Sequence, residues 1–394
     1  MQFFERKIYQ QLKSHLKEKQ ITVLTGMRRT GKTTLVARLL AEIESKNKIY
    51  IDLQRADNRQ LFGEKNYDNI VLELAGRGLD ASKKMYLAID EIQLVPELPG
   101  VVKYLYDHYD IKFIVTGSSS YYMKNLFSES LSGRKKIFEL YPLDFGEFLI
   151  FKQIETAAPS NFLEAGFDEY EYQRLKGYYD EYIEFGGFPE VVLADAPDKK
   201  KDLLKDIISS YINIDVESLA DFKKRDDFYN VVKILVSRVG SRVDYGKIAL
   251  MGGISIITLR NYMGFLEETY LIKRVPVFTS NVGREIVKAK KLYFIDSGLA
   301  NVLADLDSGA KFENAVFNQL ARQGEVRYYS LKGGREIDFI FNGKIALEAK
   351  ETPIESDQSD LSQLAKIAGL ENFRLIGKNI SPKFKNYIWG GSIR

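Results

Sequence analysis

The sequence predicts an α/β fold built on a parallel sheet with helices on both faces, and three observations predict it. Apolar strand-like runs alternate with helical patterns from the start of the chain to about Leu149. The first run, Ile21 to Thr25, leads into GMRRTGKTT, where Gly26, Gly31, Lys32 and Thr33 fit G-x-x-x-x-G-K-[ST], the spacing of a phosphate-binding loop. A later run, MYLAI at 85–89, ends in the acidic pair Asp90-Glu91.

Each element can be justified in order. Ile21 to Thr25 is short, apolar and rich in β-branched residues, as a buried strand is. Lys32 to Glu44 carries Leu35, Val36, Leu39, Leu40 and Ile43 at helical spacing, so the loop opens a helix. The free N–H groups and positive dipole end of that helix attract phosphate. The loop residues Gly26, Met27, Arg28, Arg29, Thr30, Gly31, Lys32, Thr33 and Thr34 are therefore the expected ATP contacts. Gly31 admits close approach of the backbone, Lys32 reaches the β/γ-phosphates and Thr33 ligates Mg²⁺. The further strands expected are 49–53, 85–89, 111–116 and 137–141.

A buried strand ending in two carboxylates suits Mg-nucleotide hydrolysis. Asp90 is expected in the Mg²⁺ shell, and Glu91 is expected to orient and deprotonate the attacking water. Strand 111–116 runs into Thr116-Gly117-Ser118-Ser119-Ser120. Inserted between the first strand and the Asp90 strand, it would point Thr116 and Ser118 at the γ-phosphate and the water. Arg134 follows Gly133 just before the fifth strand. It is either a finger on ATP bound in the same or a neighbouring subunit of a homo-oligomer, or a surface arginine beside Lys135 and Lys136. Arg28 and Arg29 are expected to turn from the phosphate toward the Asp90-Glu91 region or a partner.

Composition narrows the chemistry. The 394 residues are 45% hydrophobic and 28% charged, with a net charge of +3 that by itself implies no nucleic-acid partner. The absence of cysteine excludes disulfides, thiolate-held metals and cysteine nucleophiles. The two histidines, His15 and His108, lie in helical patterns and read as structural, against histidine metal clusters and Ser-His hydrolysis. No apolar run approaches membrane-spanning length, and MQFFERKIYQQLK lacks a signal-peptide core, so the expectation is a cytoplasmic protein without a membrane partner.

Beyond the first region, residues 152–168 read as a lid connection or loop. Tyr170 to Tyr211 is mostly helical, broken at FGGFPE. A helix over Phe228 to Val239, a short one around Lys247 to Met251, the turn Gly252-Gly253 and a helix from Ser255 to Tyr270 follow. Strand-like LIKRVPVF and KKLYFID come next, separated by a charged loop. This is the order of a winged helix-turn-helix. Thr258, Arg260 and Asn261 near the start of its last helix are the candidates for reading DNA, the competing use being a lid or protein contact.

The stretches GMRRTGKTTL, DEIQLVPEL, VTGSSS, SLSGRKKIFELYPLDFGEFL and FGGFPEVV together resemble one prokaryotic family of AAA-type P-loop ATPases. It lies in the branch with an additional strand and a catalytic glutamate, within the AAA+ superfamily. The resemblance spans nearly the whole chain. It implies an ATPase core at 1–150, a helical lid or connector at 151–226, a winged helix at 227–295 and an α/β C-terminal domain at 296–394. That last domain has the helical pattern FENAVFNQLARQ, then strand patterns at 326–330, 336–341 and 345–350, and contains GGREIDFIFNGKIALEAK, with Asp338 followed by Glu348-Ala349-Lys350. It resembles the PD-(D/E)xK nuclease core, a restriction-endonuclease-like fold in which two acids hold Mg²⁺ or Mn²⁺ and a lysine assists. Glu313 on the preceding helix matches an extra acid that some members use. The bland alternative is an ordinary amphipathic hairpin.

The register of that hairpin decides whether the acids meet. A two-residue Asn342-Gly343 turn would set Asp338 opposite Leu347, on the face away from Glu348 and Lys350. A loop of Phe341-Asn342-Gly343 would pair Ile340 with Lys344 and Asp338 with Ala346, uniting Asp338, Glu348 and Lys350. The uniting register is the expectation, whether by this loop or by a bulge elsewhere. The function expected is ATP binding and hydrolysis coupled to action on nucleic acid. The rival is a nucleotide-controlled protein-interaction switch with an inactive nuclease-like domain. A small-molecule kinase is disfavoured, because Glu91 implies water activation.

Overall fold

A computed structural model describes residues 3–118, 131, 133–156, 161–216, 225–331 and 333–394. Ser119 and Ser120, and 157–160 of the expected lid connection, lie outside the described residues. The chain divides into two compact units, 1–141 with 268–270, and 142–267 with 271–394.

The first unit contains α1 (Tyr9–His15), β1 (Ile21–Thr25), α2 (Lys32–Glu42), β2 (Lys48–Asp52), α3 (Ala56–Phe62), α4 (Tyr67–Gly76), β3 (Met85–Asp90), α5 (Leu98–His108), β4 (Ile111–Gly117) and β5 (Lys135–Glu139). The five strands pair in parallel in the order β2-β3-β4-β1-β5. β4 therefore does insert between β1 and β3, which brings the polar end of β4 beside the phosphate-binding loop and the acidic pair. Strand alternation divides the apolar side chains between two layers. Ile21, Val23, Leu87, Ile89, Phe113 and Val115 face α3, α4 and α5. Leu24, Ala88, Ile114 and Phe138 face α1 and α2, meeting Leu12, Leu35, Val36 and Leu39. Both histidines are structural: His15 Nδ1 is 2.8 Å from Thr22 Oγ1, and His108 Nδ1 is 2.8 Å from the Tyr104 carbonyl.

The second unit begins with α6 (Phe145–Phe151), closed by a reciprocal capping box between Asp144 and Glu147. Next come α7 (Glu169–Phe185), α8 (Pro189–Leu193) and α9 (Pro197–Ser210), which continues as a π-helix over Tyr211–Val216. FGGFPE is the break between α7 and α8, as expected. Its Gly186 has φ 73°, and a side chain there would overlap the carboxylate of Asp296. That carboxylate accepts the Gly187 N–H at 2.7 Å and caps α14 (Ser297–Leu303) through the Leu299 N–H at 3.0 Å. Burial pushes Asp296 up to about 6, against the stabilising amides. Gly186 thus leaves room for one buried acid that fastens two distant elements together, while a side chain at Gly187 would overlap the Leu143 carbonyl oxygen.

The region from 225 holds α10 (Arg225–Val236), α11 (Tyr245–Met251) and α12 (Ile256–Glu268). Ser255 Oγ accepts the Thr258 N–H at 3.0 Å, so Ser255 is the N-cap. Leu259, Tyr262, Met263 and Leu266 form the buried face that their spacing implies. β6 (Ile272–Val275) pairs antiparallel with β7 (Lys291–Phe294). Between them lies α13 (Val282–Val287) instead of a purely irregular loop.

After α14 come α15 (Ser308–Leu320), β8 (Val326–Ser330), β9 (Glu336–Phe341), β10 (Ile345–Lys350), α16 (Glu355–Ile367), β11 (Asn372–Gly377) and β12 (Ile388–Trp389). They build a mixed sheet in the order β12-β11-β10-β9-β8. The bounds of β8, β9 and β10 match the strand patterns of the sequence, whereas the chain after Lys350 carries no comparably clear pattern. α16 offers only Leu361, Leu364 and Ala365 as buried residues, and β12 is two residues long, so their periodicity is weak.

The β9–β10 turn corrects both loops considered. Ile340 pairs with Ala346 and Phe341 with Ile345, leaving Asn342-Gly343-Lys344 as the loop. Asn342 and Gly343 both take positive φ, 50° and 66°, and the Lys344 N–H closes the turn on the Phe341 carbonyl at 3.0 Å. Continued by one position, this register sets Asp338 directly opposite Glu348. The acids are united, through a loop one residue later than the one expected.

Candidate functional site

The site in the first unit lies at the C-terminal ends of β1, β3 and β4. Gly26 ends β1 with φ 149°, and any side chain there would overlap the Leu140 carbonyl oxygen, so the strand-to-loop exit requires glycine. Gly31 has φ 98° and is the N-cap of α2, with no side-chain cap on the helix amides. Lys32 is buried, and its ammonium donates to the Gly26 carbonyl at 2.7 Å and the Met27 carbonyl at 3.0 Å. The lysine thus lies across the loop that its backbone helps to form. Thr30 is buried and donates to the Met27 carbonyl at 2.9 Å, while Met27 itself packs in the core. Arg28 is half-buried, Arg29 is exposed with φ 63°, and Thr33 and Thr34 are exposed on the first turn of α2.

Asp90 is the hub. Its Oδ2 accepts Thr33 Oγ1 at 2.7 Å and the Tyr50 hydroxyl at 2.5 Å. Its Oδ1 accepts the Thr116 hydroxyl and, at 3.1 Å, the Glu91 N–H. A buried carboxylate needs such donors to satisfy its oxygens. The two expected Mg²⁺ ligands, Thr33 and Asp90, are therefore already in contact. Glu91 is buried with a left-handed backbone, φ 58°, an uncommon conformation for a residue other than glycine. Its carboxylate accepts the Gln93 side-chain N–H, and Gln93 also donates to Ser118 Oγ at 3.2 Å. Thr116 and Ser118 consequently touch the acidic pair directly and through Gln93, respectively.

Three residues of this site escaped the sequence reading. Tyr50 looked like one more strand residue. Gln93 sits in a short 3₁₀ turn whose polar residue could have drawn attention within DEIQL. Arg6 donates to the Thr30 carbonyl at 3.0 Å and the Tyr141 carbonyl at 2.7 Å, bracing the loop from a position that no local pattern connects to it.

Arg134 is placed elsewhere. Its guanidinium pairs with Asp107 at 3.0 Å, and its carbonyl accepts the N–H of Ile21, the first residue of β1. The phosphate-binding loop follows the last residue of β1, about 16 Å away at the usual strand rise. The same-subunit finger therefore lacks reach, which leaves a neighbouring subunit or a surface pair.

In the second unit, α11 and α12 are bent by 100° across 252–255. Thr258 Oγ1 lies 2.8 Å from Ser255 Oγ, Arg260 sits over the Tyr245 ring at 5.5 Å, and Asn261 is exposed. The same turn carries exposed Leu250, Met251, Ile256 and Ile257. No single helix among the described residues is long and apolar enough to cross a membrane.

The acids of the C-terminal sheet are brought together, and each is engaged by protein donors. Asp338 Oδ1 meets the ammonium of Lys291 at 3.0 Å, and its Oδ2 accepts the Ala349 N–H at 3.2 Å. Glu348 Oε2 accepts the Asp338 N–H at 3.3 Å, and its Oε1 pairs with Lys350 at 3.1 Å. Glu313 accepts the Tyr293 hydroxyl at 2.7 Å and lies 3.5 Å from Lys291. Burial, with Asp338 nearby, pushes Glu348 up to about 8 and Glu313 up to about 7. Among the described residues no group of three or more acids or histidines is arranged to hold a metal ion. The expected second Mg²⁺ or Mn²⁺ does not fit these side chains as they stand, because protein cations already occupy the carboxylates.

Comparison with known proteins bears on the first unit. Residues 18–149 match a family described as an AAA domain, and residues 176–310 match one described as a domain of unknown function. Residues 18–149 are accordingly similar to an AAA domain. An uncharacterized protein of Methanocaldococcus jannaschii is 28% identical over 373 residues, covering 90% of this chain and 81% of that protein. One of Haemophilus influenzae is 27% identical over 363 residues, covering 86% and 85%. Among solved structures, the Aeropyrum pernix ORC1 protein in complex with DNA aligns at 13% identity and a TM-score of 0.34, over 77% of this chain and 92% of that one. The Thermotoga maritima RuvB Holliday junction branch migration motor aligns at 18% identity and a TM-score of 0.34, over 70% and 91%.

Proposed function

We propose that the protein binds ATP with Mg²⁺, hydrolyses it, and works on nucleic acid through a winged helix over 227–295 and a nuclease-like C-terminal domain. The observation that carries the ATPase reading is the contact set Thr33–Asp90–Thr116 beside Glu91, at the mouth of a phosphate-binding loop. Thr33 and Asp90 would hold Mg²⁺, which supplies charge neutralisation at the phosphates when bound. The α2 amides and Lys32 bind the phosphate chain. Glu91 accepts a proton from the attacking water, and Gln93 orients that carboxylate. Arg134 is assigned to ATP of a neighbouring subunit in a homo-oligomer.

Support for the nucleic-acid part is the 100° bend between α11 and α12, followed by the β6–β7 pair. The exposed Leu250, Met251, Ile256 and Ile257 at that bend favour a second reading. In it the module contacts protein, and the molecule is a nucleotide-controlled switch. ATP turnover by the purified protein, measured with and without single- and double-stranded DNA, separates them, with the same DNA examined for cuts. Stimulation by DNA supports the first reading, and indifference in both assays supports the switch.

Gln93→Leu should lower ATP turnover by about 10-fold, a fraction of what a positioned base contributes, with ATP affinity unchanged. Turnover and a nucleotide-binding titration read this side by side. An equal loss in both would make Gln93 a support of the loop instead.

A further inference from the structure

Lys291 has no part in the function proposed above, yet its ammonium meets three carboxylates of the C-terminal region. The residue is 1% exposed. Its ammonium lies 3.0 Å from Asp338 Oδ1, 3.1 Å from Glu336 Oε1 and 3.5 Å from Glu313 Oε1. Burial opposes its charge, but Asp338, Glu313 and Glu336 outweigh that cost and hold its pKa above the ordinary lysine value.

The backbone beneath this ammonium is fixed on both sides. Lys291 pairs with Val275 in β6, and an isolated bridge joins it to Arg242. The flanking positions are bonded as well, Val243 N–H to the Lys290 carbonyl and Gly240 N–H to the Leu292 carbonyl, each at 2.9 Å. Two residues along the strand, Tyr293 bonds Glu313 and stacks on Phe317 with ring centroids 4.3 Å apart. The charge is therefore delivered by a packed strand and cannot swing away as a surface lysine does.

We infer that Lys291 is the resident cation of the C-terminal acid cluster, held where these acids would otherwise admit a divalent metal, so that the intact protein binds neither Mg²⁺ nor Mn²⁺ there. Each oxygen of Asp338 and Glu348 already accepts a donor: Lys291 and the Ala349 amide on one, the Asp338 amide and Lys350 on the other. A hard divalent ion needs about six oxygen ligands. It would have to take them from these donors and sit beside a buried ammonium that cannot retreat, at a like-charge cost that low dielectric magnifies. The nuclease-like sheet is then a metal-free surface, tied by one ion-pair cluster to the β6–β7 pair. The inference rests on the nuclease-like reading only for the kind of cation displaced. Its test reads metal binding, so a failed ATPase or DNA assay would leave its outcome distinct.

The test is calorimetric titration of the full chain with MnCl₂, without nucleotide, alongside thermal unfolding with and without Mn²⁺. Wild type and Lys291→Arg should show no binding that Asp338→Asn abolishes, and no Mn²⁺-dependent rise in Tm. Lys291→Met leaves Asp338, Glu313 and Glu336 without their cation and should lower Tm by about 10 °C. It should gain Mn²⁺ binding, regain most of the lost Tm in millimolar Mn²⁺ but not in equimolar Na⁺, and lose both gains on adding Asp338→Asn. Recovery of folded Lys291→Met only in the presence of Mn²⁺ would support the inference equally. Wild-type Mn²⁺ binding that depends on Asp338 would overturn it. So would a folded Lys291→Met that neither binds Mn²⁺ nor is stabilised by it. Should that variant stay unfolded under all conditions, the wild-type titration decides alone.

Discussion

Glu91→Gln is expected to slow ATP hydrolysis by about 100-fold or more while ATP affinity changes by less than about 2-fold. The substitution keeps the size of the side chain and its hydrogen bond to Gln93, and removes only the basicity. Glu91 is directed by a left-handed backbone and by Gln93, whereas the groups proposed to hold phosphate are the α2 amides and Lys32, with the Thr33–Asp90 pair proposed for Mg²⁺. A group that acts on the attacking water contributes to the transition state and little to the ground-state complex. Single-turnover hydrolysis together with a fluorescent-nucleotide titration measures both quantities. Hydrolysis within a few-fold of wild type would transfer the base role to another residue.

Lys32→Ala should remove detectable ATP binding, with a rise in Kd of at least about 100-fold from the loss of charge-assisted contacts to phosphate. In the structure Lys32 spans its own loop, bonding the Gly26 and Met27 carbonyls, so its ammonium is already stationed at the proposed anion site. Alanine takes this donor from both carbonyls, of which Met27 keeps the Thr30 hydroxyl, and removes the lysine charge proposed to face the phosphates. An unchanged Tm beside the lost binding would show that the effect is local. If Lys32→Ala and Glu91→Gln lose nucleotide equally in the same titration, the division between a binding and a chemical residue is wrong.

Much of this was legible because it is local. A glycine-flanked loop after an apolar strand needs only nine consecutive residues, and those residues carry both the loop and the start of α2. Asp90-Glu91 was found because a run of buried apolar residues stops at two carboxylates, which has few structural explanations once a phosphate loop lies upstream. The strands 326–330, 336–341 and 345–350 were read to the residue, since alternation over five or six positions is a strong signal when turns bound it. The elements after Lys350 were missed because α16 has a thin apolar face and β12 is too short to show any period.

By itself, the sequence indicated the AAA-type class of residues 18–149, the phosphate-loop spacing at 26–34 and the acidic pair Asp90-Glu91 proposed to serve metal and water, all of which depend on spacing along the chain. Tertiary structure alone decided what depends on contacts between distant segments. Gln93 and Ser118 are 25 residues apart, and only the insertion of β4 beside β3 makes them neighbours. Arg134 precedes the fifth strand in the sequence pattern, and only the parallel pairing of β5 with β1 puts it at the end of β1 away from the loop. The hairpin loop slipped one residue beyond the expected one because Asn342 and Gly343 both accept positive φ, a choice composition permits but does not dictate. Lys291 is 47 residues from Asp338, and nothing in KKLYFID marks its first strand residue as the one to be buried among three carboxylates. Spacing can announce that two acids and a lysine lie close along one strand pair. Whether the space between acids is left open or filled by another segment's cation is set by packing, and packing is not local.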